Sequence, residues 1–221
     1  MNAPTRGGSD LDSARAAARR AIPWLVGCYA VLGLGCTTPV DQPIPEPRIL
    51  HPTGIYRHAY IQLEMPEQIG PFQRTYVTEY DPDRANVSGH YDAADPYRSV
   101  ATVYVYPANA DVAPPDRASF IEHFEQMSAH VRQIHPLAKS IRSGGAEMEV
   151  NGFTLQGAHA RFLLPDHPSF GGPVDSHLYL FALDGWYLKF RFSHPEGLAA
   201  DLIPHEKRFI ESITWPVPGD D

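Results

Sequence analysis

The chain has 221 residues, 43% of them hydrophobic, with eleven Tyr, ten Phe and three Trp, a composition that excludes a disordered protein. Its formal net charge of −8 argues against a partner that is nucleic acid or a bare anionic membrane surface. Two cysteines are too few for a disulfide-stapled scaffold.

In chain order, the first predicted element is an export signal. Arg6, Arg15, Arg19 and Arg20 outweigh Asp10 and Asp12, and an apolar run over 21–35 follows. That length suits the hydrophobic region of a signal peptide, whereas a membrane span needs about 20 residues. Cys28 and Cys36 each follow a glycine. This resembles a bacterial lipoprotein signal, in which a small residue precedes the acylated cysteine and a leucine usually stands three positions ahead. Leu25-Val26-Gly27-Cys28 keeps the leucine, but Pro23 interrupts its short apolar run. Cys36 has the full run, with Gly33 where leucine is usual, and a proline-rich stretch from Thr37 to Pro47 follows it. Such a stretch suits an extended tether, which favours Cys36 as the site of lipid attachment. Residues 1–35 are therefore expected to be a lipoprotein-type signal peptide and 36–48 a tether. An ordinary secretory signal cut near Gly35, or an uncleaved anchor, are the alternatives. Arg19-Arg20 also resembles a twin-arginine signal, although Pro23 spoils the residues after it.

The lipoprotein resemblance implies a protein held by N-terminal acyl chains, palmitate among them, in the bacterial cell envelope and facing the periplasm. Thr37 after the cysteine, rather than aspartate, implies the outer membrane. Loss of residues 1–35 leaves 14 basic and 24 acidic residues, a net of −10. With Cys36 acylated the mature chain has no free thiol, so disulfides and thiol catalysis are excluded.

Residues 49–217 are long enough for one globular domain with a sizeable core, and 218–221 read as a tail. Gly54 to Met65 reads as a strand, with Ile55, Ala59, Ile61 and Leu63 on one parity. Phe72 to Tyr80 and Val87 to Asp92 alternate around a turn at Asp81 to Asn86. Ser99 to Tyr106 is β-branched and aromatic throughout, as a central strand should be. Asp116 is a candidate N-cap for a helix whose stripe is Phe120, Phe124, Met127, Val131 and Ile134, and Pro136 ends it. Two hairpins follow. Asn151-Gly152 joins Glu147–Val150 to Phe153–Leu164, and Asp184-Gly185 joins Asp175–Leu183 to Trp186–Ser193. Both dipeptides supply the positive φ angles of a type I′ turn. A last helix spans about Leu198 to Ile213, with Leu202, Phe209, Ile210 and Ile213 as its buried candidates.

Strands with segregated helices make an α+β layered domain. The element order, Ala101 to Tyr106 before the first helix, and the closing Trp186 to Phe192 strand with Phe209 to Ile213 resemble the PsbP-like and DcrB-like domains of envelope and lumen proteins. That resemblance implies a curved antiparallel sheet sandwiched by helices, and a non-enzymatic binding or assembly role.

The sequence has no nucleophile elbow, phosphate loop or dinucleotide fingerprint, and no cofactor is expected. His123 and His130 stand two helical turns apart, too far for a mononuclear metal pair, and read as half-buried packing residues. His51, His58, His90, His167, His194 and His205 show no ligand spacing, so no metal set is predicted. Asp81, Asp83 and Asn86 lack the glycine and distal glutamate of a calcium loop. Two readings of function remain. The first is a non-catalytic module that binds an envelope protein or an anionic ligand. Its candidate residues are His159, Arg161, Tyr187, Lys189 and Arg191, which form one basic-aromatic row if their strands are neighbours. The second is a small periplasmic hydrolase or ligand-binding enzyme using His177 with Asp166 or Asp175.

Overall fold

The computed structural model describes residues 46–108, 116–150, 152–167 and 169–213. The signal region, Cys28 and Cys36, the tether as far as residue 45, Asn151 and the tail lie outside those residues. The described chain begins with β1 (Arg48–Leu50), β2 (Tyr56–Arg57), β3 (Glu64–Met65) and β4 (Gln68–Ile69). Then come β5 (Phe72–Glu79), β6 (Val87–Ala93), β7 (Ser99–Pro107) and the helix α1 (Arg117–Ile134). The second half holds β8 (Lys139–Val150), β9 (Phe153–His167), β10 (Gly172–Leu183) and β11 (Trp186–Pro195). A 3₁₀ turn (Glu196–Leu198) leads into α2 (Ala199–Ser212). The fold is α+β: one antiparallel sheet in the order β1-β5-β6-β7-β11-β10-β9-β8, with β4 also on β5, and two helices packed against it.

The central strand is β7, as its sequence predicts. Ala101, Val103 and Val105 are buried on one face, while Thr102, Tyr104 and Tyr106 are half-buried on the other. The first of these faces carries α2. There Phe209 stands edge-on to Phe72, Tyr91 and Phe192 at centroid distances of 5.2, 4.9 and 5.4 Å. Each such pair adds about 0.5–1.5 kcal/mol to simple burial. Leu202, Ile210 and Ile213 are also buried, as their spacing requires. The opposite face carries α1, whose Phe124 and Val131 pack on Ala158, Ala160, Phe162, Leu178 and Leu180. Asp116 accepts a hydrogen bond from the Ser119 amide (2.8 Å) and starts that helix, and Pro136 follows its last turn. Ile134 does not complete the buried stripe and stays 58% exposed.

The Asp184-Gly185 turn has φ of 44° and 80°, and Gly152 has φ of 83°, as type I′ turns demand. Two expectations are revised. Arg48, counted with the tether, belongs to β1 and pairs its guanidinium with the buried Glu79 at 2.6 Å. Gly54 to Met65 is not one strand. It folds back at 59–61, so that β2 and β3 pair only with each other. Carbonyls that a sheet would have satisfied are taken by Arg74, whose guanidinium donates to Met65, Pro52 and Gly54.

Candidate functional site

Residues paired across antiparallel strands point to the same face, and alternate residues to opposite faces. On β11 this rule sends Tyr187, Lys189 and Arg191 to the α1 face, opposite Tyr106, Tyr104 and Thr102 of β7. The Lys189 ammonium lies 3.8 Å from the Tyr104 ring centroid and 5.8 Å from that of Tyr106. Tyr106 Oη and His123 Nε2 share a hydrogen bond of 2.8 Å, and the His123 ring stacks on Tyr187 at 4.3 Å. Arg191 donates through Nη2 to Ser176 Oγ at 2.9 Å, and its buried Nε has no partner. Among the described residues no carboxylate lies within ion-pair distance of Lys189 or Arg191. Burial, and then the neighbouring Arg191 charge, push the Lys189 ammonium down to about 8. Burial also lowers Arg191.

His159 and Arg161 are not part of this row, which corrects the expectation of a single basic-aromatic patch. β10 separates β9 from β11, and the register places His159 opposite Tyr179 and Arg161 opposite His177, on the α2 face. Polarity alternates along both strands, but hydrogen-bond register, not polarity, decides which alternating sets share a side.

The α2 face holds a sealed cluster of its own. Asp175 and His177 stand two apart on β10, and His194 of β11 pairs directly with Asp175. Glu206 reaches them from α2. Asp175, His177, His194 and Glu206 are each only 1–2% exposed. Glu206 Oε2 accepts from Tyr179 Oη (2.9 Å) and from His177 Nδ1 (2.8 Å). Arg161 grips Asp175 with two nitrogens, from Nε at 2.9 and 3.0 Å and from Nη2 at 2.5 Å. His177 Nε2 lies 3.2 Å from Asp175 Oδ1, and His194 Nε2 lies 3.5 Å from Glu206 Oε1, but neither approach has hydrogen-bond geometry. Burial raises Glu206 above the usual carboxyl range despite its donors. Burial also pushes Asp175 upward, but the hydrogen bonds and charge of Arg161 work against it, and the carboxyl stays below its usual range. Burial, then the neighbouring His177, pushes His194 down to about 4, so its ring is neutral at pH 7. His159 falls to about 4 for the same two reasons in the same order.

Asp166, the other carboxylate considered for His177, is exposed at the end of β9 and makes no contact with the cluster. Asp81 closes its turn by accepting from the amides of Ala85 (2.9 Å) and Asn86 (2.7 Å). His123 is half-buried as expected, whereas His130 is exposed. The sequence signal for the cluster lay in Asp175-Ser176-His177 and in the Asp184-Gly185 turn. That two-residue turn sets Leu183 opposite Trp186, and counting outward brings Asp175 opposite His194. Elsewhere, α1 and the β8–β9 edge enclose an open groove of about 1170 Å³, lined by Phe120, Phe124, Ser128, Gly144 and Gly157.

No family model and no curated protein matches this chain. Among solved structures it is similar to PA94, a protein of unknown function from Pseudomonas aeruginosa, with 12% sequence identity and a TM-score of 0.45. The likeness covers 74% of this chain and 96% of that one.

Proposed function

We propose that this is a lipoprotein of the bacterial cell envelope, anchored through Cys36 to the outer membrane and facing the periplasm. Its domain is a PsbP-like or DcrB-like layered sandwich that acts as a non-catalytic binding module. It grips an anionic group of its partner between Lys189 and Arg191, with Tyr187 in the same row. The observation that carries the reading is the pair of cations itself. Two half-buried charges on one strand have no carboxylate to neutralise them among the described residues, and a buried guanidinium N–H is left without an acceptor. Leaving a buried donor unpaired costs about 1–3 kcal/mol, and a bound anion removes that cost. The rest of the mature chain is acidic, so it supplies no competing basic surface that would dominate binding. His159 and Arg161 lie on the other face and have no part in this grip. The hydrolase reading gains nothing from the geometry, because His177 and Asp175 meet at a point no substrate reaches, both at most 2% exposed.

The test is thermal unfolding in rising inorganic phosphate at pH 7, with chloride matched for ionic strength. A saturable rise in Tm is expected for the native sequence, with the apparent phosphate affinity at least tenfold weaker in Arg191→Met. An equal phosphate response in both proteins overturns the reading. Anchoring is tested separately: palmitate labelling is expected to survive Cys28→Ser and to vanish in Cys36→Ser.

A further inference from the structure

We propose that Asp175, His177 and His194 form a metal site on the α2 face, taking one divalent transition-metal ion of the zinc type. The side chains offer one carboxylate oxygen and two imidazole nitrogens, all within 4.8 Å of one another and all buried. Ligands around zinc sit about 3.3 Å apart, so adjustments of about 1 Å close the set. Two imidazoles with a carboxylate are borderline-soft ligands, suited to zinc rather than to calcium or magnesium.

The hydrogen bonds prepare this set for a cation. Glu206 takes the Nδ1 proton of His177 at 2.8 Å, which leaves Nε2 as an acceptor 3.2 Å from Asp175 Oδ1, off the line that a hydrogen bond would need. Two acceptors at that distance repel unless a cation or a proton lies between them. A carboxylate behind a ligating histidine is the arrangement that fixes its tautomer in metal sites, and Arg161 holds the ligating carboxylate in the same manner. A proton on His177 Nε2 would not bridge to Asp175, because that approach lacks hydrogen-bond geometry. It would also leave His194 Nε2 buried without a partner, and a metal ion answers both nitrogens at once. Charge points the same way. Arg161 balances Asp175, and Glu206 is buried beside His177, His194 and Tyr179 with no Lys or Arg in ion-pair distance among the described residues. The site is closed, so its metal would bind as the protein folds and would tie β10 to β11 beneath α2.

The experiment uses the full chain in detergent. Protein unfolded in urea with chelator and then refolded in rising cobalt(II) is expected to give the visible absorption of a tightly held, low-symmetry cobalt site that saturates at one ion per chain and is lost when zinc is present during refolding. Dialysed protein is expected to retain one zinc, and chelator to lower Tm. His177→Ala and His194→Ala should lose the ion, the exposed His130→Ala should keep it, and Glu206→Gln should weaken affinity about 10–100-fold as a positioning residue. The cobalt spectrum and the chelator response of the native sequence stand even where a histidine variant fails to fold. Protein that refolds in cobalt(II) without acquiring a cobalt spectrum, and whose Tm ignores chelator, overturns the proposal. A spectrum that persists without either histidine also overturns it, because the ion is then held elsewhere.

Discussion

Strands β10 and β11 put charge on both of their faces, and the two faces treat it in opposite ways. Toward α2, every ionised group in the cluster has an opposite charge or a strong donor against it, and the whole set is closed to solvent. Toward α1, Lys189 and Arg191 have, among the described residues, only tyrosine rings and one serine hydroxyl beside them. Both arrangements arise from the same alternation, one residue apart, so neither is a by-product of where the strands run. A sealed cluster whose carboxylates each accept from strong donors, even with ring nitrogens left over, ties α2 to the sheet. A half-buried pair of cations without a carboxylate among the described residues costs stability in the free protein.

The comparison breaks first, and most heavily, at Glu206. Glu206→Ala leaves His177 Nδ1 and Tyr179 Oη without an acceptor in a site 1–2% exposed at its carboxylate and imidazole. Removing one member of a buried ionic cluster costs about 3–5 kcal/mol. Urea unfolding is expected to show a loss of that size, with little change at the α1 face, so that phosphate still raises Tm by its native increment. A loss under about 1 kcal/mol would mean that the cluster is not what holds α2 on the sheet.

Part of this contrast is legible in the sequence, namely the row of Tyr187, Lys189 and Arg191 on β11, whereas the full cluster on the other face is not, for physical reasons. The Asp184-Gly185 turn fixes the β10–β11 register pair by pair, and with it the meeting of Asp175 and His194. Pairing the strands by polarity instead joined His159 and Arg161 to the wrong side. Glu206 lies in a helix whose docking angle no local pattern encodes, so its approach to His177 belongs to tertiary packing alone. The twelve-residue β8 was foreseen only over 147–150, because Ser143-Gly144-Gly145 has the composition of a loop. Backbone pairing with β9 overrides that propensity, and Lys139, Arg142, Glu147 and Glu149 supply the charge an edge strand needs.

The second effect is smaller and of opposite sign. Lys189 titrates near 8 in the fold instead of 10.5, chiefly through burial. A base with a depressed folded pKa carries its full penalty below pH 8, where it is charged in both states. The unfolded chain binds the extra proton between about 8 and 10.5, so stability rises with pH across that window. Lys189→Met removes the penalty. The shift corresponds to about 3 kcal/mol and loss of the ammonium–Tyr104 contact offsets about 1, so the variant is expected to be more stable by about 2 kcal/mol at pH 7, and the advantage should vanish as pH approaches 10.5. The variant should also lose most of its phosphate response. Parallel pH profiles for the two proteins in chloride buffer would show that Lys189 is not a strained cation, and the contrast between the faces would then rest on Arg191 alone.

The smallest effect separates the cradle from the grip. Tyr106 and His123 share a single hydrogen bond beside Lys189, and Tyr106→Phe deletes it while keeping the ring on which the ammonium partly rests. One half-buried hydrogen bond contributes about 0.5–1.5 kcal/mol, so a loss of about 1 kcal/mol is expected in urea unfolding. If the tyrosines only support the cations, phosphate affinity in this variant stays within about twofold of native, since no charge is altered. A fall as large as that of Arg191→Met would mean that the Tyr106 hydroxyl itself donates to the anion. The binding surface would then run along β7 as well as β11, and the rings under Lys189 would be part of recognition rather than its floor.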